Sequence, residues 1–291
     1  MEIQVPLILF TTFLAWSAGV FGSQAILAVK GEGAKLQLPA LIVSVVLLAV
    51  GGIAVTFHLA QPLHIFNGFG NPTSGITQEL IAIVVLVVWM VVYFAMLRRN
   101  DGKVPAWCGV VAVVLAVALC LVAGHSYNMA ARPAWDSILQ ILSIVGGAAV
   151  MGPATVAFIG AAVGDGADVT MQGIIGSIAG GVLELVYLAS MSFAGGSLYF
   201  LDSYNFDPTE PNAALYTAST AVTGPFAGDS LVPAVIAIVA VVVAIAAAVL
   251  GKQKGNWKAL APVIVVAGFV AAAALRVVMY LNGIAAFNYL L

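Results

Sequence analysis

Long runs of apolar residues divide the chain into eight segments, each long enough to cross a lipid bilayer. A transmembrane helix needs about 20 predominantly apolar residues. The pattern predicts helices at residues 5–29, 39–61, 77–97, 105–124, 137–163, 172–198, 231–250 and 260–284. The third, seventh and eighth runs are close to uniformly apolar, whereas the others carry polar or small residues that indicate helix–helix contacts. We therefore expect an all-α integral membrane protein, one domain of eight helices arranged as two four-helix bundles.

Composition agrees with this expectation and limits the chemistry. Of the 291 residues, 63% are hydrophobic and 8% are charged, against roughly a quarter charged in a soluble domain. The two cysteines, Cys108 and Cys120, are too few for an iron–sulfur cluster, which generally takes four. The N-terminus lacks the basic region of a secretory signal, so we expect residues 5–29 to be a retained helix.

The charged loops predict the orientation in the membrane. Eight of the ten basic residues fall in the first, third and seventh loops, which share one side if eight helices alternate: Lys30, Lys35, Arg98, Arg99, Lys103, Lys252, Lys254 and Lys258. By the positive-inside rule these loops are cytoplasmic and both termini face outward. The fifth loop, 164–168, is acidic, but acidic residues contribute little to that rule. The sixth loop, 199–230, is long, polar and outward, and we interpret it as a docking surface for a partner.

The stretch at 57–67 carries the candidate chemistry. His58 is expected in the last turn of the second helix. Glu79 is expected in the first turn of the third helix, with Thr77 as its N-cap. Histidine gives or accepts a proton near neutral pH, and its ring can hydrogen-bond a quinone oxygen. Titratable groups at membrane depth are usually kept for a function.

Glu79 has two opposing physical influences. The helix N-terminus favours its carboxylate by about 0.3–1 kcal/mol, whereas burial disfavours the charge. Pro62 stops the preceding helix and Asn71-Pro72 predicts a turn, so His58 and Glu79 are expected to approach from adjacent helix ends. The alternatives are a histidine held at the membrane interface and a capping carboxylate that faces water.

Other polar residues are weaker candidates for the same site. His64 and Asn67 fall in the connecting loop and are interpreted mainly as surface residues. His125 ends the fourth helix on the outer side and meets either the headgroups or the pocket. Glu184 is expected near the middle of the sixth helix and Arg276 well inside the eighth, where they form a structural or functional pair.

Besides quinone binding at His58 and Glu79, three other functions remain open. A haem b subunit would use His58 and His125 as a ligand pair across helices, although the chain has only three histidines. A secondary transporter would use Glu184 and Arg276 as a binding pair at the bilayer midplane. A purely structural anchor is the third alternative.

The motif His58-Leu59-x-x-Pro62-x-x-x-Phe66-Asn67, followed by Glu79, resembles the membrane-anchor subunit of the dimethyl sulfoxide reductase family. Weaker similarity extends to Tyr127-Asn128-Met129 with Pro133 and Trp135, and to Arg276 in the last helix.

The resemblance implies an eight-helix subunit that binds menaquinol and menaquinone without a haem or an iron–sulfur cluster of its own. It implies two partners, a four-cluster iron–sulfur electron-transfer subunit and a catalytic molybdopterin subunit, and no nucleic acid. His58 and Glu79 match the residues implicated in quinol binding and deprotonation. His64, Asn67, His125 and Arg276 complete the candidate quinol pocket. The chain would be one subunit of an oxidoreductase complex, multi-pass in the cytoplasmic membrane among its lipids, with quinol site and docking face outside.

Overall fold

The computed structural model describes residues 3–59, 61, 67, 69–194, 200–204, 216–219 and 224–283. Across these ranges eight helices are long and apolar enough to span a membrane. They are α1 (Val5–Lys30), α2 (Gln37–Thr56), α3 (Gly75–Arg99), α4 (Ala106–His125), α5 (Ile138–Ala162), α6 (Thr170–Ser190), α7 (Leu231–Gln253) and α8 (Trp257–Leu281). The predicted fold class is confirmed. We call the end that carries the basic loops the inner end, and the opposite one the outer end.

Two helices end five or more residues earlier than predicted. Helix α2 ends at Thr56 instead of residue 61, because the next residues form turns in which the His58 N–H donates to the Val55 carbonyl. Pro62 follows, and a proline and the residue before it are both unfavourable in a helix. Helix α6 ends at Ser190 instead of residue 198. Two glycines follow in the sequence at 195 and 196, and glycine is a poor helix former.

The predicted loop at 199–230 contains secondary structure that the sequence pattern did not indicate. Strands β1 (Phe200–Tyr204) and β2 (Tyr216–Ser219) pair antiparallel. Phe200 is opposite Ser219, and the register shifts between Leu201 and Tyr204. A short 3₁₀-helix at Gly228–Ser230 leads into α7.

For description we divide the helices into a first group, α1–α4, and a second group, α5–α8. The contact between α1 and α5 is comparable to the contacts within either group, so the division into two four-helix bundles stays a prediction. Helix α1 contacts α2 and α4 within its group, and α5 contacts α6 and α8 within the other. Extensive contact between α1 and α5 joins the two groups. These two helices are the most buried of the first and second groups, respectively, and form the centre of the molecule.

Glycines allow α1 and α5 to touch through their backbones. A Cβ atom at Gly19 would overlap the Ala148 carbonyl, and one at Gly152 would overlap the backbone of Gly19. Lipid tails are as apolar as leucine, so helices associate in a membrane through close packing and interhelical hydrogen bonds. Gly176 and Gly180 bring α6 against the α5 backbone in the same way. The absence of side chains at these positions is therefore a requirement of the fold.

Buried hydroxyl groups add hydrogen bonds between helices. Ser17 of α1 and Ser44 of α2 exchange them: each hydroxyl donates to the other residue's carbonyl, at 2.8 and 2.9 Å. Trp16 of α1 donates from Nε1 to the Thr155 hydroxyl of α5 at 2.7 Å, which connects the two groups. Such bonds contribute about 0.6–2 kcal/mol each in a membrane.

The acidic fifth loop has a structural role at the inner end. The Asp165 carboxylate accepts from the Lys35 and Leu36 N–H groups at the start of α2, at 2.9 and 3.2 Å. Its carbonyl accepts from Lys258 Nζ at 2.8 Å. The first, fifth and seventh loops therefore meet at one end, as the alternating topology requires. Which side of the membrane this end faces stays a prediction.

The α1–α5 contact predicts the effect of one added methyl group. Gly152→Ala should lower the free energy of unfolding by about 1–3 kcal/mol, because the methyl group forces the two backbones apart. Gly52→Ala is the matched control, since a Cβ there meets nothing within 4 Å, and it should cause no loss. Circular dichroism during SDS unfolding in detergent micelles measures both. Equal stability of the two variants would contradict this packing.

Candidate functional site

Glu79 is a buried carboxylate at the outer end of α3. Its side chain is 6% exposed. The hydroxyl of Ser126, just after α4, is 3.4 Å from Oε2, but its shorter hydrogen bond, 2.8 Å, goes to the Ala123 carbonyl. Oε1 has no hydrogen-bond partner among the described residues. The contact depends on Gly75, where a Cβ would come within 2.9 Å of the Ser126 Cα. The start of α3 thus fits against the end of α4 and buries a carboxylate with one unpartnered oxygen.

Glu79 is not placed as the sequence predicted. Helix α3 begins at Gly75 with Ser74 in the N-cap position, so Thr77 is its third residue and Glu79 lies beyond the first turn. The position of Glu79 differs because the polar residues before the apolar run are also helical. The apolar pattern alone does not predict this extension. Thr77 is therefore not the N-cap, and Glu79 is neither a cap nor exposed to water.

Two tyrosines and a tryptophan lie close to one another at this end, two of them in the segment between α4 and α5 and the third in α8. Tyr127, Trp135 and Tyr280 of α8 are all buried. The Trp135 ring lies edge-on to Tyr280 at 5.3 Å and to Tyr127 at 6.1 Å between centroids, and its Nε1 donates to the Met279 carbonyl at 2.7 Å. Both phenols interact electrostatically with Glu79. The outer cluster, defined as Glu79, Ser126, Tyr127, Trp135 and Tyr280, therefore forms where the two groups meet.

The outer cluster holds its phenols in the neutral form. Burial raises the pKa of Tyr127 well above its ordinary value. The electrostatic effects of Tyr280 and Glu79 raise it further, whereas Arg276 lowers it. The phenol groups of Tyr127 and Tyr280 also interact with each other. Neutral phenols can donate to an oxygen or pass a proton.

Arg276 is a buried cation next to this cluster. It is 5% exposed, and its guanidinium donates to the Ser143 hydroxyl of α5 at 2.9 Å and reaches the Met279 sulfur at 3.3 Å. It interacts electrostatically with Glu184 and with the buried tyrosines. Glu184 is not one of its hydrogen-bond partners, so the two residues form the expected pair only through this electrostatic interaction.

Glu184 lies nearer the outer end than predicted. Because α6 ends at Ser190, Glu184 is six residues from that end, a rise of roughly 9 Å. It is therefore not at the middle of the helix. Both carboxylate oxygens are buried without a hydrogen-bond partner in the described part of the chain. A Cβ at Gly147 of α5 would lie 3.2 Å from Oε1, so the carboxylate faces the α5 backbone.

His58 is placed differently from the prediction. It lies in the turn after α2 and is exposed, and its Nδ1 is 3.2 Å from Gln4 Oε1. Glu79 is buried beside Ser126, so the structure does not pair the two side chains directly. The predicted pairing fails because α2 stops five residues early and the chain turns at the surface.

The weaker site candidates are mostly at the surface. Asn67 is exposed, and His64 lies outside the described residues. His125 ends α4 as predicted, and its exposed side chain fits a position at the headgroups. A haem ligand pair would need His58 and His125 turned inward between helices, and both are exposed. In the described ranges no group of three or more His, Cys, Asp or Glu side chains is placed to hold a metal ion.

Three residues of the site were missed by the sequence reasoning. Ser126 and Ser143 are ordinary hydroxyl residues in a chain rich in them, and only the tertiary structure places them against Glu79 and Arg276. Tyr280 had a signal: it follows Arg276 by four residues, which puts both on one helix face. A buried charge and an aromatic with that spacing indicate a shared environment.

The larger crevices lie away from Glu79. One of about 450 Å³ runs between α1, α4, α5 and α6 and reaches toward the inner end, with Lys30 and Gln172 among its lining residues. Two more, of about 520 and 640 Å³, lie between α2 and α3 and between α7 and α8. All three are lined mainly by apolar side chains, and none is lined by Glu79 or His58. They fit contact with lipid chains.

Comparison with known proteins does not identify the chain. No protein-family model matches it, and no curated protein sequence matches it.

The buried environment of Tyr127 predicts its alkaline titration. Because its pKa is raised, Tyr127 should stay neutral at about pH 10, where an unperturbed tyrosine is half ionised. Wild-type protein and Tyr127→Phe should therefore show the same phenolate absorbance up to that pH, and a difference only at higher pH. A smaller absorbance rise in the variant near pH 10 would show that Tyr127 is exposed.

Proposed function

We propose that this protein is the membrane-anchor and quinol-oxidising subunit of a respiratory complex. It takes electrons from menaquinol and passes them to an iron–sulfur subunit, which supplies a molybdopterin-dependent reductase similar to dimethyl sulfoxide reductase. The proposal rests on the sequence resemblance and on the chemistry of the outer cluster. The complex would lie in the cytoplasmic membrane with its quinol site and docking face on the outer side.

The observation that carries the proposal is the unpartnered carboxylate oxygen of Glu79. Ser126 satisfies Oε2 weakly, and Oε1 is buried with no donor in the described residues. A buried acceptor without a partner costs free energy and persists where a function or a ligand uses it. A quinol hydroxyl is a donor of the right kind. The outer end of the helices is also the depth that a quinol head group reaches from the lipid.

Glu79 is the proposed proton acceptor. Quinol oxidation releases two electrons and two protons. Glu79 accepts one proton from a quinol hydroxyl and releases it toward the outer surface before it accepts the second, while the neutral phenols of Tyr127 and Tyr280 hold the other quinone oxygen. General-base help requires hydrogen-bond reach and a suitable proton affinity.

His58 has a supporting role in the proposal. It shares the outer end with Glu79, at the end of α2, and its present partner is the side chain of Gln4 at the surface. A quinol oxygen can replace that exposed partner at little cost, because exposed hydrogen bonds contribute little net free energy. We assign His58 to quinol binding, and proton transfer to Glu79.

Electrons would leave through the partner. The proposed acceptor is an iron–sulfur cluster of the docked subunit, which takes the two electrons one at a time. The polar segment that contains β1 and β2, between α6 and α7, is the proposed docking face.

Removal of the Glu79 charge should reduce quinol oxidation. In the purified complex, Glu79→Gln should lower kcat by about 100-fold or more, since general-base help typically supplies a factor of 10²–10⁴. Glu32→Gln, which changes an exposed glutamate at the inner end, is the matched control and should keep the wild-type rate. His58→Ala should instead raise KM by about tenfold, as expected for one lost hydrogen bond. Wild-type kinetics in both Glu79→Gln and His58→Ala would rule out the proposal.

A further inference from the structure

A second buried carboxylate, Glu184, is not used by the proposed mechanism. It is 2% exposed, both of its oxygens lack hydrogen-bond partners among the described residues, and it faces the α5 backbone at Gly147. Nothing in the packing requires a carboxylate there, because an apolar side chain would fill the same space without the cost of burying a polar group. The position therefore indicates a function.

Arg276 makes the charged form of Glu184 accessible. Helix α6 packs against α5, α7 and α8. Helix α5 contains no titratable residue, and the only one in α7 is Lys252 near its inner end. From α8, Arg276 interacts with Glu184 electrostatically, but its hydrogen bonds go to Ser143 and Met279. The guanidinium therefore stabilises the carboxylate without locking it into an ion pair.

Two opposing effects act on this carboxyl group. Burial away from water favours the protonated form, whereas the nearby guanidinium favours the ionised form. Neither form is satisfied by a hydrogen bond in the described residues. Removal of a proton leaves a carboxylate that neutralises the buried charge of Arg276. Addition of a proton leaves Arg276 as the only buried cation nearby. The group can exist in both states.

The ligand that fits this site is a proton. Metal cations such as Ca²⁺ need six to eight oxygen ligands and Mg²⁺ prefers six, and the surroundings of Glu184 provide one carboxylate with an arginine close by. The positive charge of Arg276 would repel a bound cation. A proton needs a single oxygen, and its departure is favoured by the same positive charge.

We infer that Glu184 is an internal proton-binding site. A Cβ at Gly147 would meet both Glu184 Oε1, at 3.2 Å, and the Ala272 Cβ, at 3.4 Å, and Arg276 lies one helical turn after Ala272 in α8. The carboxyl group and the guanidinium therefore belong to the same contact between α5, α6 and α8. The use of Glu184 as a reservoir for a proton released from quinol rests on the proposed function, but its titration does not.

Infrared spectroscopy of the reconstituted protein tests the inference without quinol. Stepwise pH changes should reveal carboxylic-acid C=O bands of buried groups, one lost in Glu184→Gln and a different one lost in Glu79→Gln. The exposed Glu32→Gln control should keep both.

A second variant keeps the test valid if Glu184→Gln does not fold. Arg276→Met removes the charge that favours ionisation, so the Glu184 band should titrate at higher pH in that variant. The inference is wrong if no band depends on Glu184 at any pH, or if the band responds to Na⁺ at constant pH. Loss of quinol oxidation in Glu79→Gln with no titration of Glu184 would support the proposed function alone. The reverse result would support the proton site alone.

Discussion

The contact between the backbones of α1 and α5 holds the two halves of this protein together. It depends on Gly19 and Gly152, where any side chain would overlap the opposite helix. In a membrane no hydrophobic effect drives one helix onto another, so close packing must supply much of the stabilisation. The outer cluster is a consequence, because Glu79 and Ser126 belong to the first group and Tyr280 to the second. Tyr127 and Trp135 lie between the groups. Separation of α1 from α5 would move Tyr280 away from Glu79 and Ser126.

The second constraint is the cost of charge in a low-dielectric interior. Buried Glu79, Glu184 and Arg276 would each cost a few kcal/mol alone on insertion scales. Arg276 and Glu184 reduce that cost for each other, because opposite charges attract more strongly away from water. Glu79 has no such partner in the described residues, and its unpartnered oxygen is therefore the more costly one.

The eight helices could be predicted because a membrane imposes length and apolarity on every crossing segment, and α1 and α4 match their predicted runs within one residue. Helix ends were less predictable. Helices α2 and α6 end early because of local turns. As a result, His58 lies at the surface and Glu184 lies closer to the outer end than predicted. A sequence shows that Glu79 and Arg276 are unusual in their positions, but it does not show their partners. The packing of distant segments brings Ser126 against Glu79 and Ser143 against Arg276. Strands β1 and β2 form in a stretch whose polar composition favours loops.

The central claim is that quinol binds at the outer cluster, and photo-crosslinking with an azido-quinone tests it most directly. The competing location is the inner crevice, the crevice of about 450 Å³ between α1, α4, α5 and α6 that reaches toward the inner end and is lined mainly by apolar side chains. Mass spectrometry of the labelled protein should find the label on peptides that contain Glu79 and Ser126–Tyr127, and excess unlabelled menaquinone should prevent it. Label confined to peptides that contain Gly22, Cys120 or Gln172 would place the quinone in the inner crevice and contradict the account.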